Sequence, residues 1–173
     1  AFAGSELRSR LARARGVRRE SPFSFPLEPG PRGLLVHGVV DVVAQEDGGT
    51  LVVDYKSDRL GDLDPQALTE RDYAGQRLVY ALAALRGGAP RVEVAHCYLE
   101  RPDEPATAIF TAADADALAE RLVGSARGLL AGDFRPTAAP HRDLCGTCPG
   151  RAALCSHPES RTLRPLEPAP SPP

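Results

Sequence analysis

Three charged side chains stand out because they lie in neighbouring apolar segments. Asp41 lies in LLVHGVVDVVA (34–44), and Asp54 and Lys56 lie in LVVDYKS (51–57). Lys56 is the only lysine of the chain, whereas arginine occurs at 20 positions. Burying charge without compensation costs several kcal/mol, on the order of 3–5 when a partner is missing. These three residues therefore invite a chemical interpretation.

The turn between the two segments decides whether the charges meet. EDGG (46–49) favours a two-residue hairpin loop, and a loop centred on 47–48 or on 48–49 places Asp41 opposite Asp54 or opposite Lys56. Since opposed residues of an antiparallel pair share a face, either register puts the three side chains on one face. An odd-length loop would separate them.

Two carboxylates and one ammonium fit a site for a divalent cation. Mg²⁺ is typically held by one or two carboxylates together with water and phosphate oxygens. Lysine is a compact charge that can lie beside an attacking water, which the planar guanidinium of arginine does less well. The structural alternative is a buried salt bridge, but arginine would serve it equally well and the second carboxylate would have no partner.

The surrounding pattern predicts an α/β fold, a mixed central β-sheet flanked by α-helices. We expect a core over 1–135, a Cys/His segment packing on it over 136–158, and a Pro-rich disordered tail over 159–173. The expected elements, in chain order, are helix 5–17, an edge strand 22–27, strands 34–44 and 51–57, helix 65–86, strands 91–100 and 106–111, and helix 112–131.

Composition excludes some classes of protein and leaves others open. The 173 residues are 42% hydrophobic and 25% charged, which is ordinary for a globular domain, and no apolar run suggests a membrane segment. The first residue is Ala and methionine is absent, so we expect a fragment of a longer protein. Six arginines over residues 8–19, without an acid among them, either follow a phosphate backbone or form a solvated helix face.

A cysteine cluster near the end of the chain is a second candidate site. CGTCPGRAALC places Cys145, Cys148 and Cys155 in a C-x2-C-x6-C pattern, and the first pair can converge on one metal ion. This spacing fits a reducing, intracellular setting better than a disulfide framework. Three alternatives stay open: an iron–sulfur cluster, Zn²⁺ completed by a histidine, or no metal, with Cys155 free to pair with another cysteine.

These motifs carry a family resemblance. HGVVDVV followed by LVVDYKSD resembles the signature of PD-(D/E)XK nucleases, with Asp54 and Lys56 as its D-x-K. DYAGQRLVYALA resembles the Q-x-x-x-Y helix motif of the RecB-like branch, here Gln76 and Tyr80. The segment RRESPFSF and the cysteine segment resemble parts of the nuclease domain of bacterial helicase-nucleases of the RecB, AddAB and AdnAB kind.

The resemblance implies a restriction-endonuclease-like fold and a metal-dependent deoxyribonuclease. Asp41, Asp54 and the Tyr55 backbone carbonyl would bind Mg²⁺ or Mn²⁺, Lys56 would position the water, and the Gln76 and Tyr80 side chains would flank the site. Exonuclease action is favoured over site-specific cutting. The implied partners are single-stranded DNA and a helicase domain in the same polypeptide, and a partner subunit is a further candidate. The implied setting is DNA repair and recombination in the bacterial cytoplasm.

The resemblance is incomplete at two places. RecB-like nucleases usually carry a further ligand upstream, often His, where this chain offers only Glu6 or Glu20 unless the residue precedes the fragment. Some relatives hold a [4Fe–4S] cluster with a fourth, upstream cysteine, and no cysteine precedes Cys97 here. A catalytically inactive DNA-binding or scaffolding module is therefore the alternative function. A small-molecule metallohydrolase is disfavoured because a His-rich ligand set is lacking.

Overall fold

The computed structural model describes residues 2–27 and 33–165. The chain divides into two compact units, Ala1–Arg127 and Gly128–Pro173. The first unit contains a 3-10 turn at Phe2–Gly4 and one at Ala112–Asp114. Its remaining elements are α1 (Glu6–Arg13), β1 (Gly16–Pro26), β2 (Leu35–Glu46), β3 (Gly49–Lys56), α2 (Pro65–Asp72), α3 (Ala74–Arg86), β4 (Arg91–Tyr98), β5 (Ala106–Thr111) and most of α4 (Ala115–Leu130), whose last three residues belong to the second unit.

The five strands form one mixed sheet in the order β1-β2-β3-β4-β5. Strands β3 and β4 are parallel, and the other three neighbouring pairs are antiparallel. The parallel pair requires a crossover, which α2 and α3 supply. The expected mixed sheet with flanking helices is confirmed, and β1 is an edge strand as its prolines indicated.

The sheet is buried on both faces, which explains why its central strands are apolar throughout. On one face Leu7 of α1 packs with Val42, Leu51 and Val53. On the other face the apolar side chains of α3 and α4 pack against those of the strands, at Leu78, Ala81, Leu82, Leu85, Leu118, Leu122, Val43, Val52, Val92 and Val94. Charged residues of β3 must therefore find partners inside the protein.

The first helix is shorter than the predicted range 5–17. Ser5 caps it as expected, its side chain accepting a hydrogen bond from the Arg8 N–H, but Ala14 is already extended. The Arg15 N–H donates to the carbonyl of Gln45, and the chain joins the sheet from Gly16 onward. The edge strand consequently begins six residues before the predicted 22–27, since β1 starts at Gly16.

The single helix predicted over 65–86 is two helices that meet at Tyr73. The backbone of Tyr73 leaves helical geometry, at φ −124° and ψ 8°. The Tyr73 hydroxyl donates to the carboxylate of Asp58, whose two oxygens both lie 2.9 Å away. The side-chain interactions of Tyr73 thus explain a break that helical periodicity alone does not reveal.

The second unit contains two short helices, α5 (Arg142–Cys145) and α6 (Glu159–Thr162). The tail expected to be disordered over 159–173 therefore begins with a helical turn, and residues 166–173 lie outside the described residues. The packing of 136–158 on the core stays a prediction. Over 2–27 and 33–165, the helices include none long and apolar enough to cross a membrane.

Candidate active site

The β2–β3 hairpin adopts the first of the two predicted registers. Its pairs run from Glu46 with Gly49 to Val42 with Val53, so the turn centres on Asp47 and Gly48. Continuing this register would bring Asp41 opposite Asp54, but the ladder ends one pair earlier. The sequence prediction assumed regular pairing of β2 and β3 as far as Asp41, and the structure departs from regular pairing at that residue.

The alternation of faces changes at Asp41. Val40 packs in the cluster on the α3 side and Val42 in the cluster on the α1 side, although residues two apart on a regular strand share a face. The ladder with β1 also omits the pair of Asp41 and Glu20, and Glu20 has φ +46°. This local distortion lets the Asp41 side chain reach β3.

The Asp41 carboxylate reaches the residue between the other two predicted site residues. Its Oδ2 accepts a hydrogen bond from the Tyr55 N–H at 2.8 Å. In a β-strand the N–H and C=O of one residue point toward the same neighbouring strand, so the Tyr55 carbonyl also faces Asp41. The structure thus brings Asp41 to the segment of Asp54, Tyr55 and Lys56.

Four of the predicted residues form a closed ring of polar contacts. Lys56 Nζ donates to Gln76 Oε1 at 2.7 Å, and Gln76 Nε2 donates to the Tyr80 hydroxyl at 3.0 Å. Tyr80 donates to Asp54 Oδ1 at 3.0 Å, and Asp54 Oδ2 lies 2.7 Å from Lys56 Nζ. Gln76 and Tyr80 are one turn apart on α3, so a single helix face holds both ends of the ion pair.

Burial makes this ring electrostatically strong. Asp54, Lys56 and Tyr80 are all less than 9% exposed. Burial raises the pKa of Tyr80 well above its ordinary value, and the nearby charge of Asp54 adds to the effect. The Tyr80 hydroxyl therefore stays protonated at all ordinary pH values and remains a hydrogen-bond donor to Asp54.

Three residues outside the predicted site, Tyr73, Asp58 and His96, form a group beside Lys56. The ammonium lies 3.7 Å from the centre of the Tyr73 ring, an attractive cation–π contact, and the Tyr73 hydroxyl is anchored by Asp58. Burial and the bond to Asp58 raise the pKa of Tyr73 to about 12. The Tyr73 ring also stacks with His96, with ring centres 5.9 Å apart.

His96 is fully buried beside Asp54 in the β3–β4 ladder. Within the described part of the chain, neither ring nitrogen has a hydrogen-bond partner. Burial, with a smaller contribution from the charge of Lys56, lowers its pKa to about 3, so the imidazole is neutral. The spacing of Tyr73, three residues before Gln76 on the same predicted helix, indicated that both could face the site. No such indication existed in the sequence for His96, because its strand is largely apolar.

The oxygen atoms near Asp54 suit a hard divalent cation. Asp54 Oδ2 is buried and forms an ion pair with Lys56 Nζ at 2.7 Å. One oxygen of Asp41 is bonded to Tyr55, and the described residues supply no partner for the other. Two carboxylates and a carbonyl are the ligands Mg²⁺ prefers, with water and phosphate completing the shell. These residues fit the ion.

A larger protein ligand set is absent from the described part of the chain. Residues 2–27 and 33–165 contain no group of three or more His, Cys, Asp or Glu side chains placed to hold a metal ion. Glu6 and Glu20, the two substitutes considered for an upstream ligand, therefore do not complete a third protein position in this arrangement. Asp41 and Asp54 would leave the remaining positions to the Tyr55 carbonyl, water and substrate.

The cysteine segment shows no preformed metal site over the same residues. Cys145 is buried, Cys148 is exposed and Cys155 is intermediate, and all three are free thiols. Of the nearby histidines, His157 is engaged, its Nε2 lying 2.7 Å from the carbonyl of Thr137. An iron–sulfur or zinc centre at these cysteines stays a prediction, and no step of the proposed chemistry uses it.

Comparison with known families decides the membership of the chain. A family model described as the PD-(D/E)XK nuclease superfamily matches residues 2–155. The chain belongs to this superfamily. The matched range contains the distorted hairpin, the Lys56 ring and the cysteine segment, so the predicted resemblance to PD-(D/E)XK nucleases is confirmed.

Curated relatives in the superfamily are larger proteins. By name, three of them are ATP-dependent helicase/nuclease subunits of type A. That of Desulforudis audaxviator is 41% identical over 92 residues, covering 47% of this chain and 7% of the relative. That of Geobacillus thermodenitrificans is 37% identical over 116 residues, covering 57% and 9%. That of Anoxybacillus flavithermus is 35% identical over 81 residues, covering 46% and 7%. The chain thus spans less than a tenth of their length.

Proposed function

We propose that this chain is the nuclease module of a bacterial helicase-nuclease and hydrolyses DNA phosphodiester bonds with Mg²⁺ or Mn²⁺. One observation carries the proposal. The buried Asp54 carboxylate pairs with the only lysine at 2.7 Å, and the carboxylate of Asp41 reaches the same segment of β3. A purely structural ion pair needs one carboxylate, whereas a metal site gives the second carboxylate a role.

Each residue then has a defined task. Asp41, Asp54 and the Tyr55 carbonyl hold the ion, which when bound polarises the phosphoryl oxygen and lowers the pKa of water. Lys56 orients the attacking water and stabilises the charge that develops on the phosphate. Gln76 fixes the Lys56 ammonium.

The Tyr80 hydroxyl restrains the other end of the ion pair. It donates to Asp54 Oδ1, while Asp54 Oδ2 lies 2.7 Å from Lys56 Nζ. A carboxylate held through one oxygen loses little further rotational freedom when the other binds, so Tyr80 prepares the site before substrate arrives.

The wider biological role rests on the relatives. Because their names combine helicase and nuclease, we infer that a helicase part of the same polypeptide delivers single-stranded DNA, and that a partner subunit completes the assembly. Exonuclease action follows from such continuous delivery, and repair or recombination in the bacterial cytoplasm is the setting that requires it.

A cleavage assay with end-labelled single- and double-stranded DNA tests the proposal. We expect cleavage with Mg²⁺ or Mn²⁺, none with a chelator, and losses of about 10³-fold or more in Asp54→Ala and Lys56→Ala. Lys56→Arg keeps the charge but not the compact ammonium, so it should also fail. Binding of DNA without cleavage under all metal conditions would instead favour the inactive scaffolding module.

A further inference from the structure

A groove on the α1 side of the sheet has no part in the chemistry described above. Its volume is about 300 Å³, and we call it the Tyr55 groove. Its main lining residues are Phe2, Arg8, Leu11, Val17, Arg19 and Tyr55. The groove thus combines α1, the edge strand β1 and the end of β3.

The groove carries two positive charges without counter-ions. Arg8 and Arg19 are exposed, and within the described part of the chain neither side chain has an ion pair or hydrogen bond. Neighbouring arginines differ, since Arg10 is paired with Glu46 and Arg15 with Asp47. Like charges placed at one groove repel each other, so an anion bound between them would relieve that repulsion.

The same groove also has an aromatic surface. Tyr55 is half-buried, and Phe2 packs edge-on against it with ring centres 5.3 Å apart. Arg8 and Arg19 line the same groove as the two rings.

The position of the groove links it to the candidate active site. Tyr55 follows Asp54 and precedes Lys56, and its N–H is bonded to Asp41. Since side chains alternate along a strand, Tyr55 faces α1 while its two neighbours face α3. A nucleotide bound in the groove would therefore contact the residue that lies between Asp54 and Lys56 along β3, from the opposite face of the sheet.

We propose that the Tyr55 groove binds one nucleotide of a single-stranded DNA substrate, with Arg8 and Arg19 holding its phosphates and the Tyr55 and Phe2 rings contacting its base. The proposal rests on the proposed function, because the groove is assigned to the same substrate. Positive charge along the backbone and aromatic contact with bases are the two features that single-strand sites combine. The proposal also assigns a phosphate-binding role to Arg8 and Arg19, two of the six arginines over residues 8–19.

Binding of fluorescein-labelled oligodeoxythymidine, measured by anisotropy in Ca²⁺ without Mg²⁺, tests the charges. Arg8→Gln/Arg19→Gln should weaken binding about tenfold or more and reduce the slope of log K against log[salt] by about 1.4, two contacts at about 0.7 each. The matched control is Arg13→Gln/Arg18→Gln, which removes the same net charge outside the groove. Equal losses in both double variants would overturn the proposal.

The aromatic contact has its own test. Tyr55→Leu should weaken oligonucleotide binding at least about fivefold, and Tyr55→Phe, which keeps the ring, should bind like the parent. Photo-crosslinking to 5-iododeoxyuridine oligonucleotides should label a peptide containing Tyr55 or Phe2. Labelling confined to other peptides would contradict the assignment and indicate that a protein segment covers this surface.

The outcomes separate this proposal from the proposed function. Metal-dependent cleavage with unchanged binding in Arg8→Gln/Arg19→Gln would contradict the assignment of the groove and support the nuclease function. Binding that depends on Arg8 and Arg19, without cleavage in any metal, would support the groove as a DNA site and contradict the nuclease function. A parent protein that neither binds nor cleaves DNA would overturn both.

Discussion

Gln76 Oε1 lies 2.7 Å from Lys56 Nζ, so an uncharged side chain on α3 fixes the only lysine of the chain. The same amide donates to Tyr80, which in turn donates to Asp54. Gln76 therefore couples the positions of the ammonium and the carboxylate. It holds them without adding a charge that would compete with the metal ion.

Replacing Gln76 by leucine should lower cleavage by about 100-fold, since the ammonium loses its acceptor and a small displacement of a positioned group is costly. The rate of single-turnover cleavage at saturating DNA measures this. Gln66→Leu is the matched control, because Gln66 is an exposed glutamine on α2 that bonds Glu70, at 3.4 Å, away from the ring. Parent-like cleavage by Gln76→Leu would contradict the role given to the ring.

Tyr73 should act as a positioning residue for Lys56 through its ring and its hydroxyl. Tyr73→Leu removes the cation–π contact and should lower the cleavage rate about 10-fold, whereas Tyr73→Phe keeps the ring and should lose less. The cleavage rates of the two variants at saturating substrate test whether Tyr73→Leu loses more activity than Tyr73→Phe. Tyr98→Phe serves as control, since its buried hydroxyl bonds Thr69 at 2.8 Å and its loss should affect stability alone.

The ion pairs of Arg10 should make stability depend on pH. Arg10 holds both carboxylate oxygens of Glu46 and also reaches Glu93, which ties α1 to β2 and β4. This bonding lowers the pKa of Glu46 below its ordinary value of 4.5. A depressed carboxyl pKa stabilises the fold fully above the ordinary value, and the contribution is lost as pH falls through the folded value.

Glu46→Gln should therefore reduce the free energy of unfolding by about 1 kcal/mol at neutral pH, and the difference from the parent should shrink toward about pH 3. Urea midpoints at the two pH values measure it. Asp47→Asn, which removes the exposed partner of Arg15, should change little at either pH. A Glu46→Gln deficit that stays constant with pH would contradict this account.

Gly49 and Gly48 should respond differently to alanine although they are neighbours in the hairpin. A Cβ at Gly49 would meet the backbone carbonyl of Arg91 well inside van der Waals contact, and its φ is +154°. Gly49→Ala should thus cost about 2 kcal/mol or more. Gly48→Ala has no atom within 4 Å of its Cβ and should change stability by less than about 0.5 kcal/mol. Thermal unfolding of both variants checks the contrast.

The sequence predicts the sheet because strands depend on local patterns, and the candidate site residues come from the same segments. Alternating or continuous apolar runs define strands, and the EDGG turn selects the observed register, whose ladder ends one pair before Asp41 and Asp54. The break at Tyr73 and the change of face at Asp41 are set by contacts between distant segments. The partner of Tyr73 is Asp58, 15 residues away, and Asp41 bonds Tyr55, 14 residues away. Such contacts override local periodicity.

His96 and the Tyr55 groove were beyond prediction for a related reason. A buried histidine within an apolar strand resembles an ordinary core position, and only the fold places it against Tyr73. From the sequence, the six arginines over residues 8–19 either follow a phosphate backbone or form a solvated helix face. The structure places Arg8 on α1 and Arg19 on β1, and both line the Tyr55 groove.

Binding of Mn²⁺ in the absence of DNA tests the central claim most directly, since the claim is that Asp41 and Asp54 hold one dication beside Lys56. Titration followed by the electron paramagnetic resonance of free Mn²⁺ should show one site in the parent. Asp41→Asn and Asp54→Asn should each lose it, and Asp62→Asn, at an exposed aspartate of the following turn, should keep it. Equal Mn²⁺ binding by Asp54→Asn and the parent would contradict the account.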